Sequence, residues 1–340
     1  MKIDGGFRSE EILISPDYVM GKAKELEDIG FDGLLTTEVA HCPFMPLSWA
    51  AQSTSHIDIR TSVAVALART PMITAGLGHD LNALSRGRFT LGLGSQIKPH
   101  IANRFGMPWS SPARRMREYI EAMHAIWDCW YEGKDLDFQG EFYTHKLMTP
   151  EFTPSNIEYG RPKVIMAAVG PMMIDTACAV ADGIIPHPFC TEKHFKGVLM
   201  PQITSSLAKY GRSLDDFEIQ FPVFMAAAET EEKLEQAKAA IKYRLGFYSS
   251  TPSYRSVLDT HGWGELQEEL RQLTKAGRWQ ELPERISDEM LEAFAVVGHP
   301  VEAAQKIVSR FGGLIDRCAL DENAASPENL EKQLDLLHAA

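Results

Sequence analysis

The chain has 340 residues and carries 34 lysines and arginines against 46 aspartates and glutamates, a formal net charge of −12. Such an acidic chain repels phosphate backbones and anionic lipids, which argues against nucleic-acid or membrane-surface binding as its main activity. The five cysteines are scattered, and neither a signal peptide nor an apolar run of about 20 residues occurs, so a reducing cytoplasm is the expected compartment.

Strand-like and helical segments alternate along the first half of the chain. The predicted strands are residues 2–7, 31–37, 60–67 and 88–93, and the predicted helices are residues 16–29, 47–56 and 71–87. The third strand is apolar and β-branched nearly throughout, as expected for a strand that is buried on both faces. This alternation is typical of βαβ units around a parallel sheet.

The second half begins with a long amphipathic helix from Pro112 and a small hairpin predicted at residues 138–143. Four more strands are predicted at residues 162–169, 183–187, 217–226 and 314–320, with helices at 231–245 and 301–311. Eight strands in this arrangement predict an α/β fold, a closed (β/α)8 TIM barrel. Residues from about 246 to 294 fit no simple βα unit and are interpreted as an insertion before the last strand. The whole chain, residues 1–340, is then one domain.

Two familiar motifs are considered and rejected. Gly92 and Gly94 follow a strand as in a dinucleotide-binding loop, but Ile97 replaces the third glycine and no helix begins there. His187 and Cys190 lack the regular spacing of metal ligands, and no metal is expected.

Two other segments are candidates for a functional site, one because of its position after a strand and one because of its turn. Glu38 and His41 come directly after the second strand, on the face where a barrel keeps its active site. A catalytic role and an ordinary loop histidine beside a capping acid both remain open. After the fifth strand, Gly170 and Pro171 begin a helix, whose free N–H groups suit an anion such as phosphate. An ordinary turn between strand and helix is the alternative there.

The stretch from residue 81 to residue 117 contains no Asp or Glu. It holds seven cations, which are Arg86, Arg88, Lys98, Arg104, Arg114, Arg115 and Arg117. Because this stretch includes the loop after the fourth strand, we expect a polyanionic ligand to lie over it. About half of these cations are expected to pair with acids elsewhere.

Several runs resemble the bacterial luciferase-like superfamily of flavin and deazaflavin oxidoreductases. They are LSRGRF at 84–89, LGLGS at 91–95, VADG at 180–183 and VGHP at 297–300. Further runs are similar to the branch assigned to the deazaflavin coenzyme F420, namely TE at 37–38, HCPF at 41–44, RFGMPW at 104–109 and FYSSTP at 247–252. The resemblance covers nearly the whole chain.

The resemblance implies a (β/α)8 barrel with an insertion near its last strands and a flavin-like ring in the barrel mouth. The implied coenzyme contacts come from three segments, which are Ser62 and Val63, then Ser95 and Gln96, and finally Ala168, Val169, Gly170, Met172 and Met173. The phosphate is expected on the N–H groups after Gly170. Ser62 and Val63 match the position where related deazaflavin enzymes carry a non-proline cis peptide bond.

The chain departs from the sugar-phosphate dehydrogenases of this superfamily, which place an Asp-His pair after strand two and a glutamate after strand four. Here His41 lies three residues after Glu38, and no carboxylate follows Gly94. The substrate of those relatives and their full acid–base set therefore do not transfer. The leading hypothesis is a coenzyme F420 dependent oxidoreductase that passes a hydride between the coenzyme and a small or medium organic substrate, with Glu38 and His41 as acid–base candidates.

Two alternatives stay open. An FMN-dependent monooxygenase would bind the same phosphate at the same turn, although the basic stretch favours F420, whose tail is more anionic than FMN. A non-catalytic flavin- or deazaflavin-binding barrel is supported by the missing acid after strand four. Relatives often dimerise, so a homodimer is an option, and a small-molecule substrate is the expected partner.

Overall fold

The computed structural model describes residues 1–7 and 15–340, and its strands are short and widely spaced along the chain. They are β1 (Lys2–Gly6), β2 (Gly33–Thr36), β3 (Asp58–Thr61), β4 (Ala64–Val65), β5 (Phe89–Gly94), β6 (Phe138–Gln139), β7 (Thr144–His145), β8 (Lys163–Ala168), β9 (Gly183–Pro186), β10 (Glu218–Ile219), β11 (Phe224–Ala227), β12 (Ala295–Gly298) and β13 (Arg317–Ala319).

Helices follow most of these strands. They are α1 (Pro16–Ile29), α2 (Phe44–Ser53), α3 (Pro71–Leu84), α4 (Pro112–Glu132), α5 (Pro171–Val180), α6 (Glu192–His194), α7 (Met200–Lys209), α8 (Glu231–Ser249), α9 (Arg255–Asp259), α10 (Leu266–Lys275), α11 (Asp288–Phe294), α12 (Pro300–Phe311) and α13 (Pro327–His338). Their start signals are legible in the sequence. Ser15 accepts a hydrogen bond from the Tyr18 N–H at 3.0 Å, and Thr70 caps α3 in the same way, each directly before a proline.

The main sheet has the order β10-β9-β8-β5-β3-β2-β1-β13, with β4 beside β5. A parallel bridge between Gln220 and Arg317 links the two ends of this order. The result is a nearly closed parallel barrel of eight strands surrounded by helices, which confirms the predicted (β/α)8 fold.

Several predicted boundaries are wrong. The strand predicted at 60–67 is divided into β3 and β4 by Ser62 and Val63, and the one predicted at 217–226 is divided into β10 and β11. Strand β12, which pairs in parallel with β11, was not predicted, because a four-residue apolar run directly after a helix has no periodicity of its own. The predicted hairpin is present as the antiparallel pair β6 and β7.

The chain forms two compact units. The first comprises Asp4–Ile185 and Ser206–Glu218, and the second comprises Met1–Ile3, Pro186–Ser205 and Ile219–Ala340. The first unit buries large side chains such as Trp127 and Phe89 completely or nearly so. The second unit has its own apolar cluster, which includes Leu245 and Phe294 from α8 and α11. The predicted insertion lies within the second unit, and the expectation that the whole chain folds as one domain stays a prediction.

Two general features concern cysteines and membranes. All five cysteines are free thiols. Within the part of the chain that the structure describes, no helix has both the length and the apolarity needed to cross a membrane.

Candidate functional site

Four segments of the first unit follow neighbouring strands at the carboxyl edge of the sheet. The strands are in register, because Ala64 pairs with Leu93 and Leu93 pairs with Met166. The residues after β2, β3, β5 and β8 therefore lie at the same edge. In (β/α)8 barrels this edge carries the active site, so the four segments form the candidate site.

Two glycines allow the segment of Ser62 and Val63 to lie directly against β5. A Cβ atom on Gly92 would lie 1.8 Å from the carbonyl oxygen of Thr61, and one on Gly94 would lie 2.8 Å from Val63 Cγ2. Thr61 Oγ1 also accepts from Gly92 N and donates to Gly92 O, at 2.8 Å in each case. The glycine pair that was rejected as a dinucleotide loop thus lies inside a strand and permits close packing.

The Ser62–Val63 peptide bond is cis, as predicted. Backbone hydrogen bonds join both residues of this bond to the end of β2 and the chain after it. Ser62 N donates to Thr36 O at 2.7 Å, and Glu38 N donates to Val63 O at 3.3 Å. Glu38 and the Ser62–Val63 segment are therefore held together by backbone hydrogen bonds. Whether this segment contacts a coenzyme stays a prediction.

The Glu38 carboxylate is paired on both of its oxygens. Arg69 Nη1 and Nη2 donate to Oε2 and Oε1 at 2.7 Å each, and Val65 N donates to Oε2 at 2.7 Å. Only 7% of the Glu38 side chain is exposed. Burial of Arg69 opposes its charge, but the bonds to Glu38 outweigh this and raise the pKa of Arg69. The pair therefore links the residues after β2 to Val65 and Arg69, which follow the Ser62–Val63 segment.

Sequence reasoning missed Arg69, because a partner 31 residues away leaves no spacing signal. The available signal was a lone cation after an apolar strand and directly before the Thr70 helix cap.

His41 lies in the loop between β2 and α2 and is half-buried. The loop is tied back by Thr36 Oγ1, which donates to Pro43 O at 2.8 Å. Among the described residues, nothing forms a hydrogen bond or ion pair with the His41 imidazole. The structure therefore does not join His41 to Glu38, and the imidazole is available to a ligand.

Ser95 and Gln96 follow β5 and are half-buried. Gln96 adopts a left-handed backbone conformation, with φ of 58°, and its Oε1 accepts from Ile97 N at 3.0 Å. Ser95 Oγ donates to Gln96 O at 3.0 Å. These contacts fix the turn and leave the Gln96 amide N–H groups without an acceptor among the described residues.

The turn after β8 has the geometry of an anion site. Gly170 has φ of 81°, a conformation that favours glycine, and follows Ala168 and Val169. The first hydrogen bond of α5 runs from Ile174 N to Gly170 O at 3.1 Å, so the N–H groups of Met172 and Met173 precede it. No acidic residue lies in the first turn of α5. These donors fit a phosphate group.

The cations of residues 81–117 do not form one surface. Arg86 and Arg88 precede β5, whereas Lys98 and Arg104 follow it, so they belong to opposite ends of that strand. Within residues 1–7 and 15–340, two of the seven cations pair with acids, fewer than the half expected, through the bonds Arg114–Glu141 and Arg117–Glu121. Arg88 instead donates to backbone carbonyls at the end of α2 and beyond. The basic character at the carboxyl edge is therefore smaller than the sequence suggested.

Across residues 1–7 and 15–340, no three or more His, Cys, Asp or Glu side chains are grouped so that they would hold a metal ion.

Relatives of known sequence are found in mycobacteria and archaea. An uncharacterised protein of Mycobacterium tuberculosis is 46% identical over 312 residues, which are 92% of each chain. A 5,10-methylenetetrahydromethanopterin reductase of Archaeoglobus fulgidus is 28% identical over 294 residues, which are 84% of this chain and 83% of the reductase.

Solved structures share the fold over nearly the whole chain. The coenzyme F420 dependent tetrahydromethanopterin reductase from Methanopyrus kandleri has a TM-score of 0.75 at 21% identity, covering 97% of this chain and 96% of that one. EDTA monooxygenase from Chelativorans has a TM-score of 0.73 at 14% identity, covering 100% and 93%. These likenesses show that the chain has the same fold as the two enzymes. The sequence pattern of the family described as luciferase-like monooxygenase matches residues 2–317, and the chain therefore belongs to that family.

Proposed function

We propose that the protein is an oxidoreductase that uses coenzyme F420 to transfer a hydride to or from a small or medium organic substrate. The observation that carries this proposal is the Gly170 turn after β8, where the N–H groups of Met172 and Met173 precede the first hydrogen bond of α5. Strand β8 pairs with β5, and β5 packs against the Ser62–Val63 segment. The likeness to a coenzyme F420 dependent reductase supports it. A bound deazaflavin would supply a carbon centre that accepts or gives a hydride.

The residues of the carboxyl edge would divide the work of holding this coenzyme. Met172 and Met173 would bind the phosphate through their N–H groups, and the Gln96 amide would donate to the ring or its polyol chain. The remaining expected contacts are backbone or small side chains, namely Ser62, Val63, Ser95, Ala168, Val169 and Gly170. Their fixed turns place donors before the coenzyme arrives, which lowers the ordering cost of binding.

His41 is proposed to give a proton to the substrate oxygen, or to take one from it, at an imidazole nitrogen. Histidine is the most common general acid or base in enzymes, and no described residue forms a hydrogen bond or ion pair with this imidazole. Glu38, paired with Arg69, would position the neighbouring chain. Because general acid–base catalysis is worth about a hundredfold or more, a His41→Ala variant that kept turnover within about threefold of wild type would exclude this role.

Replacement of Met172 tests the phosphate site. The Met172 side chain is 77% exposed, so Met172→Asp places a carboxylate in the first turn of α5 without disturbing the core. The helix tolerates or prefers this charge, but a phosphate on the same N–H groups is repelled. We expect unchanged or raised thermal stability and about tenfold weaker F420 binding, whereas the uncharged Met172→Asn control keeps wild-type binding. Equal affinity of both variants for F420 would place the phosphate elsewhere.

The alternative function is an FMN-dependent monooxygenase, which the family description favours. FMN would occupy the same turn, so only direct binding of each coenzyme separates the two. A non-catalytic coenzyme-binding barrel is distinguished by whether bound coenzyme is ever reduced by a candidate donor. A cytoplasmic location and a homodimer stay predictions.

A further inference from the structure

Three aromatic side chains with polar ends meet in the second unit, and we call them the His187 cluster: His187, Tyr248 and Tyr254. The His187 ring is stacked on Tyr254 with centroids 4.6 Å apart, and it meets Tyr248 edge-on, also at 4.6 Å. The two tyrosine rings lie 5.8 Å apart and nearly perpendicular. Phe189 packs behind both tyrosines. The three rings therefore form one aromatic group in which Tyr248 is nearly perpendicular to both other rings.

The protonation state of His187 follows from its contacts. His187 directly follows β9, at the strand end where barrels place their chemistry. Its Nδ1 lies 3.1 Å from the Phe189 N–H, which donates to it, so the ring proton sits on Nε2. Burial lowers the pKa of His187 to about 4. At neutral pH the ring therefore stays uncharged and offers one N–H donor.

The tyrosines are held by the turn that ends α8. Thr251 N donates to Tyr248 O at 2.9 Å, and Tyr254 N donates to Thr251 O at 3.1 Å. Gln267 Nε2 donates to Ser250 O at 3.1 Å and so anchors the middle of the turn from α10. The positions of the two rings are thus fixed by backbone contacts rather than by bonds to their hydroxyls.

The polar ends of the His187 cluster have no partner within the described protein. Neither tyrosine hydroxyl nor His187 Nε2 forms a hydrogen bond to the described residues, and none of the three atoms is fully enclosed. Burial, together with the neighbouring Tyr248, raises the pKa of Tyr254 to about 12, so this hydroxyl stays neutral. Aromatic side chains that carry a few unpaired polar groups are typical of small-molecule sites.

We propose that the His187 cluster binds an uncharged, planar organic group through its carbonyl or hydroxyl oxygen. The oxygen accepts from His187 Nε2 and from a tyrosine hydroxyl, while the ring faces contact the planar part. A charged ligand is disfavoured, because burial alone lowers the pKa of His187 and no charged side chain contributes to the pKa shift of Tyr254. The assignment of this ligand as the substrate rests on the proposed function, whereas the binding itself requires no coenzyme.

Two neutral probes of the same shape test the proposal. Acetophenone carries the carbonyl oxygen, and α-methylstyrene replaces it with a methylene group. Each is titrated at millimolar concentration into the full-length protein labelled with ¹⁵N-histidine, and the His187 Nε2–H resonance is followed by NMR. We expect the ketone to shift this resonance and to bind about three- to tenfold more tightly than the hydrocarbon. Equal binding of the two probes, or no binding of either, overturns the proposal.

Variants that lose only a tyrosine hydroxyl test the proposal without removing the packed rings on which folding depends. Tyr248→Phe and Tyr254→Phe retain the ring walls, and Tyr243→Phe, an exposed position on α8, is the matched control. At least one cluster variant is expected to weaken acetophenone binding about three- to tenfold without weakening α-methylstyrene binding, while the control changes neither. If both cluster variants bind the ketone as tightly as wild type does, the hydroxyls do not bind its oxygen.

Titration with F420 separates the two proposals. Ketone binding without F420 binding would leave the His187 cluster as a ligand site and remove the proposed function. F420 binding without ketone binding would do the reverse.

Discussion

Arg69 binds both oxygens of a nearly buried Glu38, and the same carboxylate accepts from the backbone of Val65. Removal of one partner from a buried ion pair leaves an uncompensated charge, which costs more than the pair itself contributes. Since Glu38 N is also bonded to Val63 O, the pair stabilises the chain on either side of the Ser62–Val63 segment. The carboxylate thus has a structural role, and the catalytic role expected for Glu38 stays a prediction.

Glu38→Gln is expected to lower the free energy of unfolding by about 2 kcal/mol, because it leaves Arg69 partly buried without its counter-charge. His41→Ala is expected to change stability by less than about 0.5 kcal/mol, since the imidazole has no partner among the described residues. Urea unfolding of both variants measures the difference. The double variant Glu38→Gln with Arg69→Met should recover part of the loss, and a Glu38→Gln protein as stable as wild type would contradict a structural pair.

Gly94→Ala is expected to destabilise the protein by about 1–3 kcal/mol, because the new methyl group would lie 2.8 Å from Val63 Cγ2. It should also weaken coenzyme binding by displacing Val63. Gly76→Ala is the matched control, since its Cβ meets nothing within 4 Å inside α3, and it should stabilise by about 0.5–1 kcal/mol. Thermal unfolding of both variants decides, and a similar effect of the two substitutions would refute close packing at Gly94.

At the scale of elements, α1 is joined to the start of β3 by a buried carboxylate. Glu27 accepts from the N–H groups of Ser55, His56 and Ile57 at 2.7, 2.7 and 3.1 Å, and from Lys24. Burial alone would raise the pKa of Glu27, but these donors outweigh it and lower the pKa to about 2. The turn before β3 thus depends on a charged Glu27.

Acid should weaken this junction in a defined pH range. A carboxyl whose pKa falls on folding stabilises the protein at every pH above 4.5, which is the pKa of Glu27 in the unfolded chain. This contribution is lost as the pH falls toward 2, the pKa in the folded protein. The loss amounts to about 3 kcal/mol. Glu27→Gln should remove this part of the acid dependence in pH-dependent urea unfolding, whereas Glu25→Gln on the exposed side of α1 should leave it intact. Identical pH profiles for the two variants would contradict the role of Glu27.

Most barrel strands were predictable because a buried parallel strand is a short apolar run between helix signals. The break between β3 and β4 was not predictable from residues 60–67, since it accompanies a backbone hydrogen bond from Ser62 N to the distant Thr36 O. The break between β10 and β11 has a mark in the sequence that was overlooked, because Pro222 lacks the N–H that a strand needs for pairing. Strand β12 was missed because four apolar residues after α11 are indistinguishable from the end of that helix.

The sequence predicted only those parts of the candidate site whose residues lie close together along the chain. The Gly170 turn and the cis Ser62–Val63 bond agree with expectations drawn from motifs and resemblance. The Arg69 partner of Glu38 and the tyrosines around His187 depend on contacts over 31 to 67 residues, which no single-sequence pattern records.

At the scale of the whole molecule, the net charge of −12 says nothing about where the charges lie. Among the cations, Arg86 precedes β5 and Lys98 follows it, so the two lie at different ends of this strand. If a coenzyme binds at the carboxyl edge as proposed, it would be attracted by Lys98, which follows this strand, and much less by Arg86, which precedes it. Lys98→Gln is expected to weaken F420 binding about two- to threefold at low salt, with the difference fading as salt is added. Arg86→Gln should have no effect. Fluorescence titration at two ionic strengths checks this, and equal effects of both substitutions would argue against a coenzyme tail over the loop after β5.

The most direct test of the proposed function is an equilibrium titration of the full-length protein with coenzyme F420 and, separately, with FMN, each followed by its own fluorescence. We expect saturable binding of F420 at least about tenfold tighter than that of FMN, because the F420 tail carries more negative charge toward Lys98 in the loop after β5. Tight binding of FMN together with no binding of F420 would contradict the proposed function.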